Sequence, residues 1–137
     1  MEAHYSKETA AAPELAWSTI GGFCGIASWH PVIAACEEQT KDGATYRTLT
    51  LADGAKLIEK LVERDDAARS YTYTIEEGPL PVAGYQSTIK VVPSENGSTL
   101  DWSGTFEAKG VSDSEAVEIV TGIYQAGLDA LADKLSK

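Results

Sequence analysis

Apolar and polar residues alternate along most of the first 110 residues, and short turn sequences interrupt the alternation. The clearest turns are Asp42-Gly43, Asp53-Gly54 and Asn96-Gly97, dipeptides that favour tight β-hairpins. Because most segments are joined in this way, the pattern predicts an antiparallel sheet. The seven predicted strands cover 3–9, 32–40, 44–51, 55–64, 69–76, 84–92 and 98–107.

Two other regions have helical periodicity. Pro13 begins a short amphipathic run that ends at Gly21-Gly22, and a second short helix is predicted at 23–28. Residues 113–136 lack proline and repeat apolar residues every three or four positions. This single long helix must cover the apolar face of the sheet. The predicted fold class is therefore α+β, with a curved seven-stranded antiparallel sheet around a long C-terminal helix.

Length and charge limit the function classes. The 137 residues fit one domain, 1–137. A net charge of −10 makes nucleic acid and anionic membranes poor partners. The first residues lack the basic and apolar regions of a signal peptide, and no run reaches the roughly 18 apolar residues of a membrane span. These features favour a cytoplasmic protein without membrane insertion.

The two cysteines and two histidines show no metal-ligand spacing, so no metal or cofactor is expected. Cys24 and Cys36 also lack a CxxC motif. We expect them to be buried free thiols in a reducing cytoplasm, with a redox pair as the alternative.

Ionisable side chains fall at strand positions that alternation assigns to the core side. They are His30, Arg47, Glu59, Tyr85 and Asp101. Such groups are costly to bury unless they meet one another or a ligand. The pattern therefore predicts one polar patch in a small-molecule cavity of roughly 300 Å³ or more, near the 77–84 loop and the Trp-His-Pro turn at 29–31.

The ion pair and the tyrosines of this predicted cavity each fit more than one role. Arg47 and Glu59 are nearly opposite across the Asp53-Gly54 hairpin, which fits a structural ion pair, a ligand contact or a general acid at Glu59. The aromatic residues Tyr71, Tyr73 and Tyr85 fit either the core or a pocket for a ring-bearing ligand.

Alternation also makes predictions for the last strand and its surroundings. Trp102 and Phe106 alternate with Asp101 and are expected to pack away from the cavity. Asp101 would then pair with His30 or Arg47.

Several segments together resemble the START-like or SRPBCC superfamily. They are the W-H-P turn at 29–31, G-x-x-x-R at 43–47, the D-G turn at 53–54, E-x-L at 59–61, the Tyr-rich strand at 71–73 and the long final helix. The resemblance implies the helix-grip fold shared by Bet v 1-like proteins, bacterial polyketide cyclase/dehydrase-like proteins and plant abscisic-acid receptors.

Similarity to the plant receptors implies positions for individual residues. EKLVERDD at 59–66 implies an inward Glu59, and GYQS at 84–87 implies that Tyr85 and Ser87 line the pocket. HPVIAAC at 30–36 puts His30 where the receptors have a carboxylate-binding lysine, and TLDW at 99–102 implies an inward Asp101. LADG at 51–54 and EGPLPVAGY at 77–85 stand in place of the receptor gate and latch, so a receptor role is not expected.

The leading hypothesis is a protein that binds a small hydrophobic or aromatic molecule between the sheet and the C-terminal helix. The alternative is a polyketide cyclase/dehydrase-like enzyme, a metal-free lyase or isomerase that uses His30 with Glu59 or Asp101 as acid and base on a carbonyl substrate. A homodimer is a further expectation. The candidate ligand-binding residues are Trp29, Arg47, Tyr71, Tyr73, Tyr85, Ser87 and Tyr124.

Overall fold

The computed structural model describes residues 1–136, and its elements follow the predicted order. A 3₁₀ turn at Phe23–Gly25 precedes the second helix. The helices are α1 (Pro13–Ile20), α2 (Ile26–Trp29) and α3 (Asp113–Leu135). The strands are β1 (Glu2–Thr9), β2 (Ile33–Lys41), β3 (Ala44–Leu51), β4 (Lys56–Asp65), β5 (Ser70–Glu77), β6 (Val82–Ser94) and β7 (Gly97–Ala108).

The strands form one antiparallel sheet in the order β1-β7-β6-β5-β4-β3-β2. The meander from β2 to β7 follows the chain, whereas β1 pairs with β7 at the far edge. Asp42 and Gly43 both have positive φ, 52° and 80°, which a two-residue hairpin turn of the predicted type needs. The predicted antiparallel sheet with its long helix is confirmed.

Helix α3 supplies the apolar cover that the sheet requires. Ser112 caps its first turn by accepting a hydrogen bond from the backbone N–H of Glu115, at 3.2 Å. Its buried stripe includes Val120, Tyr124 and Leu128 and faces the inner side of the sheet. Within residues 1–136, no helix combines the length and the apolar character that crossing a membrane demands.

The prediction that Cys24 and Cys36 are free thiols is wrong, because they form a disulfide. The 3₁₀ turn folds back onto β2 and brings their Cα atoms to 5.4 Å, within the range that a disulfide can bridge. The bond joins the helical connection to an edge strand of the sheet.

Candidate functional site

A cavity of about 90 Å³ lies between the sheet and α3. Ten of its fifteen lining residues are aliphatic, and the other five are His30, Glu59, Tyr73, Tyr85 and Trp102. One water needs about 10–15 Å³ of such cavity volume, so the cavity has room for several waters or for a single aromatic ring. The volume is smaller than the predicted 300 Å³.

The charged centre of the site is a buried ion pair between Arg47 and Glu59, which are 0% and 4% exposed. The two residues are directly opposite on β3 and β4, as predicted. Both Nε and Nη2 of Arg47 lie 2.7 Å from Oε1 of Glu59. Burial raises the pKa of Glu59, and the Arg47 guanidinium opposes that rise.

Arg47 is enclosed on its remaining sides and does not line the cavity. Its Nη1 donates to the backbone oxygen of Phe23 and, at 3.3 Å, to the hydroxyl of Tyr71. The guanidinium carbon lies 4.1 Å from the ring centre of Phe23 and 4.8 Å from that of Tyr73. These cation–π contacts hold the positive charge behind Glu59, outside the cavity.

The His30 ring is 2% exposed, and both of its nitrogens have a partner. Nε2 lies 2.9 Å from the carbonyl oxygen of Ile123, which can only accept, so Nε2 carries the proton. Nδ1 then accepts from the backbone N–H of Val32 at 3.2 Å. Burial lowers the pKa of His30, which keeps the ring neutral. The imidazole therefore fixes α3 to the turn before β2.

A row of hydrogen-bonded groups, here called the hydroxyl chain, lies beside the cavity under α3. Trp102 Nε1 donates to the Tyr73 hydroxyl at 3.1 Å, and the Tyr73 and Tyr85 hydroxyls are 3.5 Å apart. The next links join Tyr85 to Tyr124 and, at 2.9 Å, Tyr124 to Ser87. Ser87 Oγ donates to the Ser103 carbonyl at 2.9 Å. Desolvation raises the pKa of Tyr124 to about 12, so its hydroxyl keeps its proton at neutral pH. In order, the hydroxyl chain contains Trp102, Tyr73, Tyr85, Tyr124, Ser87 and Ser103.

The chain is similar to known proteins in both sequence and fold. A family model described as polyketide cyclase / dehydrase and lipid transport matches residues 1–136. The chain belongs to this family. The match agrees with the START-like resemblance of the sequence, which is thereby confirmed.

Three known proteins that are similar to this chain in sequence or in fold are informative. A crystal structure of a Bacillus thuringiensis protein shares 38% identity and a TM-score of 0.93, with 100% of each chain covered. The Zhui aromatase/cyclase from Streptomyces sp. R1128 has a TM-score of 0.79 at 17% identity over 99% of this chain and 93% of that one, and this likeness concerns the fold alone. MLP-like protein 423 of Arabidopsis thaliana is 33% identical over 69 residues, so the match spans 46% of this chain and only 44% of the relative.

In the present chain, Asp101 lies outside the predicted polar patch of the cavity. Its Oδ1 accepts from Ser6 Oγ and pairs with His4 Nε2, both at 2.6 Å, on the outer face of the sheet. Burial would raise the pKa of Asp101, but the hydrogen bonds from Ser6 and His4 outweigh that effect and lower it. The prediction of a shared patch is therefore wrong for Asp101.

The inward residues of β7 are those that alternate with Asp101. Trp102 and Phe106 are 2% and 3% exposed, and Trp102 stacks on Tyr124 with ring centres 4.6 Å apart. The prediction that these two rings pack away from the cavity is wrong for Trp102, which lines it. The stacked pair packs between the sheet and α3.

The remaining predicted residues fall into two groups. His30, Glu59, Tyr73 and Tyr85 line the cavity. The others are buried behind its wall, and Trp29 among them packs against the His30 and Trp102 rings. In the described part of the chain, Trp29 Nε1 has no hydrogen-bond partner. The residues behind the wall are Trp29, Arg47, Tyr71, Ser87 and Tyr124.

The sequence predicted that α3 contributes to the cavity wall, but through Tyr124, and it missed the two α3 residues that line the cavity. Val120 and Ile123 line the cavity, and the periodicity of the helix identified them only as core residues. Among residues 1–136, no group of three or more His, Cys, Asp or Glu side chains is placed to hold a metal ion.

Proposed function

We propose that residues 1–137 form a single domain that binds a small, mostly apolar molecule in the cavity under α3. The observation that carries the proposal is an aliphatic cavity with one carboxylate, Glu59, at its wall. Ligand pockets commonly combine apolar walls with a few positioned polar groups. The family also includes lipid transport in its description, which is consistent with carriage of an apolar molecule.

Toluene is a suitable probe because it matches the size of the cavity and carries no polar group. We expect toluene to shift the ¹⁵N–¹H resonances of cavity residues in a saturable way. Leu51 lines the cavity from β3, so Leu51→Trp should fill the space and abolish binding. Val62→Trp is the matched control, because Val62 is on β4 but 51% exposed. Saturable binding that survives Leu51→Trp would refute the cavity as the site, as would a complete lack of toluene binding.

An enzyme of the cyclase/dehydratase type is the second candidate. Its support is the family description together with the raised pKa of Glu59, which suits a group that holds or takes a proton. His30 has both nitrogens engaged and Asp101 lies on the outer face, so the acid–base role is assigned to Glu59.

The enzyme candidate predicts proton exchange at the carbon next to a carbonyl group. Phenylacetone in D₂O would lose an α-proton to the Glu59 carboxylate and regain a deuteron, which ¹H NMR detects. We expect Glu59→Gln to slow this exchange by about 100-fold or more, the size typical of a positioned acid or base. Exchange at the uncatalysed rate with the unaltered protein would remove this candidate and leave the binding proposal standing.

The cytoplasmic location and the homodimer stay predictions. The disulfide counts against the cytoplasmic location, because stable disulfides are uncommon in a reducing cytosol. Acid-quenched cell extract treated with a maleimide reagent would report whether Cys24 and Cys36 are paired in the cell. Light scattering on a sizing column would give the oligomeric state.

A further inference from the structure

The direction of the hydroxyl chain is fixed by its two ends. The indole N–H of Trp102 can only donate, and the carbonyl of Ser103 can only accept. Because Ser87 donates to that carbonyl, its oxygen must accept from Tyr124, and Tyr124 in turn must accept from Tyr85. Each of these three hydroxyl protons is therefore already committed.

Tyr73 has the one weakly held hydroxyl proton of the hydroxyl chain. Its link to Tyr85 is 3.5 Å long, well beyond the usual O–H···O distance of about 2.7–2.8 Å. Tyr73 also lines the cavity. Its hydroxyl can turn toward a ligand at little cost, and it then offers the cavity a hydrogen-bond donor.

The one acidic residue among those that line the cavity is Glu59. Glu59 lines the wall, whereas Arg47 lies behind it. The guanidinium nitrogens of Arg47 donate hydrogen bonds to Glu59, to the backbone oxygen of Phe23 and to the Tyr71 hydroxyl. The Arg47 guanidinium, with Nε and Nη2 at 2.7 Å from Oε1 of Glu59, stabilises the anionic form of Glu59 against the effect of burial. An incoming carboxylate would meet this negative charge without a cation of its own to pair with.

We propose that the cavity selects small neutral ligands that carry a hydroxyl group, such as a phenol or an alcohol, and rejects carboxylates. The ligand hydroxyl donates to Glu59 and accepts from Tyr73, while its apolar body contacts the aliphatic wall. This selectivity rests on the proposed binding function.

Phenol, toluene and benzoate test the selectivity on the unaltered protein at pH 7, by ¹⁵N–¹H NMR titration. They share one ring and differ in a neutral hydroxyl, a methyl group and a carboxylate. We expect phenol to bind about 5–10-fold more tightly than toluene, the equivalent of one net hydrogen bond, and benzoate not to bind. Toluene equal to phenol, or benzoate equal to phenol, would overturn the selectivity while leaving the binding function intact. Failure of all three probes to bind would overturn both.

Two charge variants separate the effect of Glu59 from that of the overall charge of −10. Glu59→Gln and Asp101→Asn each remove one negative charge, the first at the cavity and the second on the outer face. We expect benzoate to bind Glu59→Gln and still to be rejected by Asp101→Asn. Equal recovery in both variants would mean that overall charge excludes the anion and that the proposal is wrong. If circular dichroism shows Glu59→Gln to be unfolded, the titrations of the unaltered protein decide the question.

Discussion

Gly127 of α3 lies directly against the imidazole ring of His30, where a Cβ atom would fall 2.5 Å from ring carbon Cδ2. The missing side chain lets the helix approach closely enough for Ile123 to accept the hydrogen bond from His30. A residue with poor helix propensity is thus placed where α3 and the cavity wall meet.

Gly127→Ala should destabilise the protein, whereas Gly122→Ala should stabilise it. A Cβ at residue 122 of the same helix meets no atom within 4 Å, so alanine there gains about 0.5–1 kcal/mol of helix propensity. At residue 127 the clash with His30 should cost about 1–3 kcal/mol. Urea unfolding of the two variants gives the comparison. Equal stabilisation of both would show that α3 does not depend on this close contact.

The buried ion pair should show strong coupling in a double-mutant cycle. Arg47→Met or Glu59→Leu alone leaves one charge buried without its partner, which should cost about 3–5 kcal/mol. The double variant should lose much less than the sum of the two single variants. The free energies of unfolding in urea provide all four corners of the cycle. Additive losses would contradict the pairing.

His30 should make the stability fall as the pH drops below about 6.5, the ordinary pKa of histidine. Burial lowers the pKa of His30 in the folded protein, so between the two values the unfolded chain binds a proton that the folded chain does not. Stability is therefore complete above that range and decreases by up to about 1.4 kcal/mol per pH unit within it.

The measurement is urea unfolding between pH 7.5 and 5.5. His30→Ala should lower stability at pH 7.5 but flatten the pH dependence. His4→Ala removes the other histidine, whose side chain is 53% exposed, and serves as the matched control. An unchanged slope in His30→Ala would show that His30 is not the group responsible.

Reduction of the disulfide should lower the free energy of unfolding by about 3 kcal/mol, because the bond closes a short loop between Cys24 and Cys36. Urea unfolding with and without dithiothreitol measures the loss. The Cys24→Ser/Cys36→Ser variant should match the reduced protein and show no response to dithiothreitol. A response in that variant would assign the effect to something other than the disulfide.

The fold could be predicted because its signals are local. The Asp42-Gly43 and Asn96-Gly97 turns define hairpins through backbone conformation, and one long apolar stripe leaves α3 no other place than the sheet face. The disulfide could not be predicted in this way, since it depends on how the 3₁₀ turn folds back onto β2.

The inward positions of the candidate site could be predicted where a clear hairpin turn fixed the register of the two strands. Arg47 and Glu59 share a hairpin with a clear turn, so their facing positions followed from counting along the strands. Asp101 was predicted to point toward the core, but the buried residues of β7 are its neighbours Leu100 and Trp102. The prediction was therefore shifted by one residue along the strand. A single-residue shift of register reverses the face of every side chain on a strand.

The place of β1 in the sheet has a consequence for how the protein folds. Glu2 pairs with Thr105, so within residues 1–136 the first strand has a single neighbour in the sheet, about 100 residues later. The meander from β2 to β6 can assemble from neighbouring hairpins, but β1 must wait for β7. Such distant pairing is associated with slow folding, in milliseconds to seconds. Helix α3 packs against β1. We therefore expect the attachment of β1, and with it the docking of α3, to come late in folding.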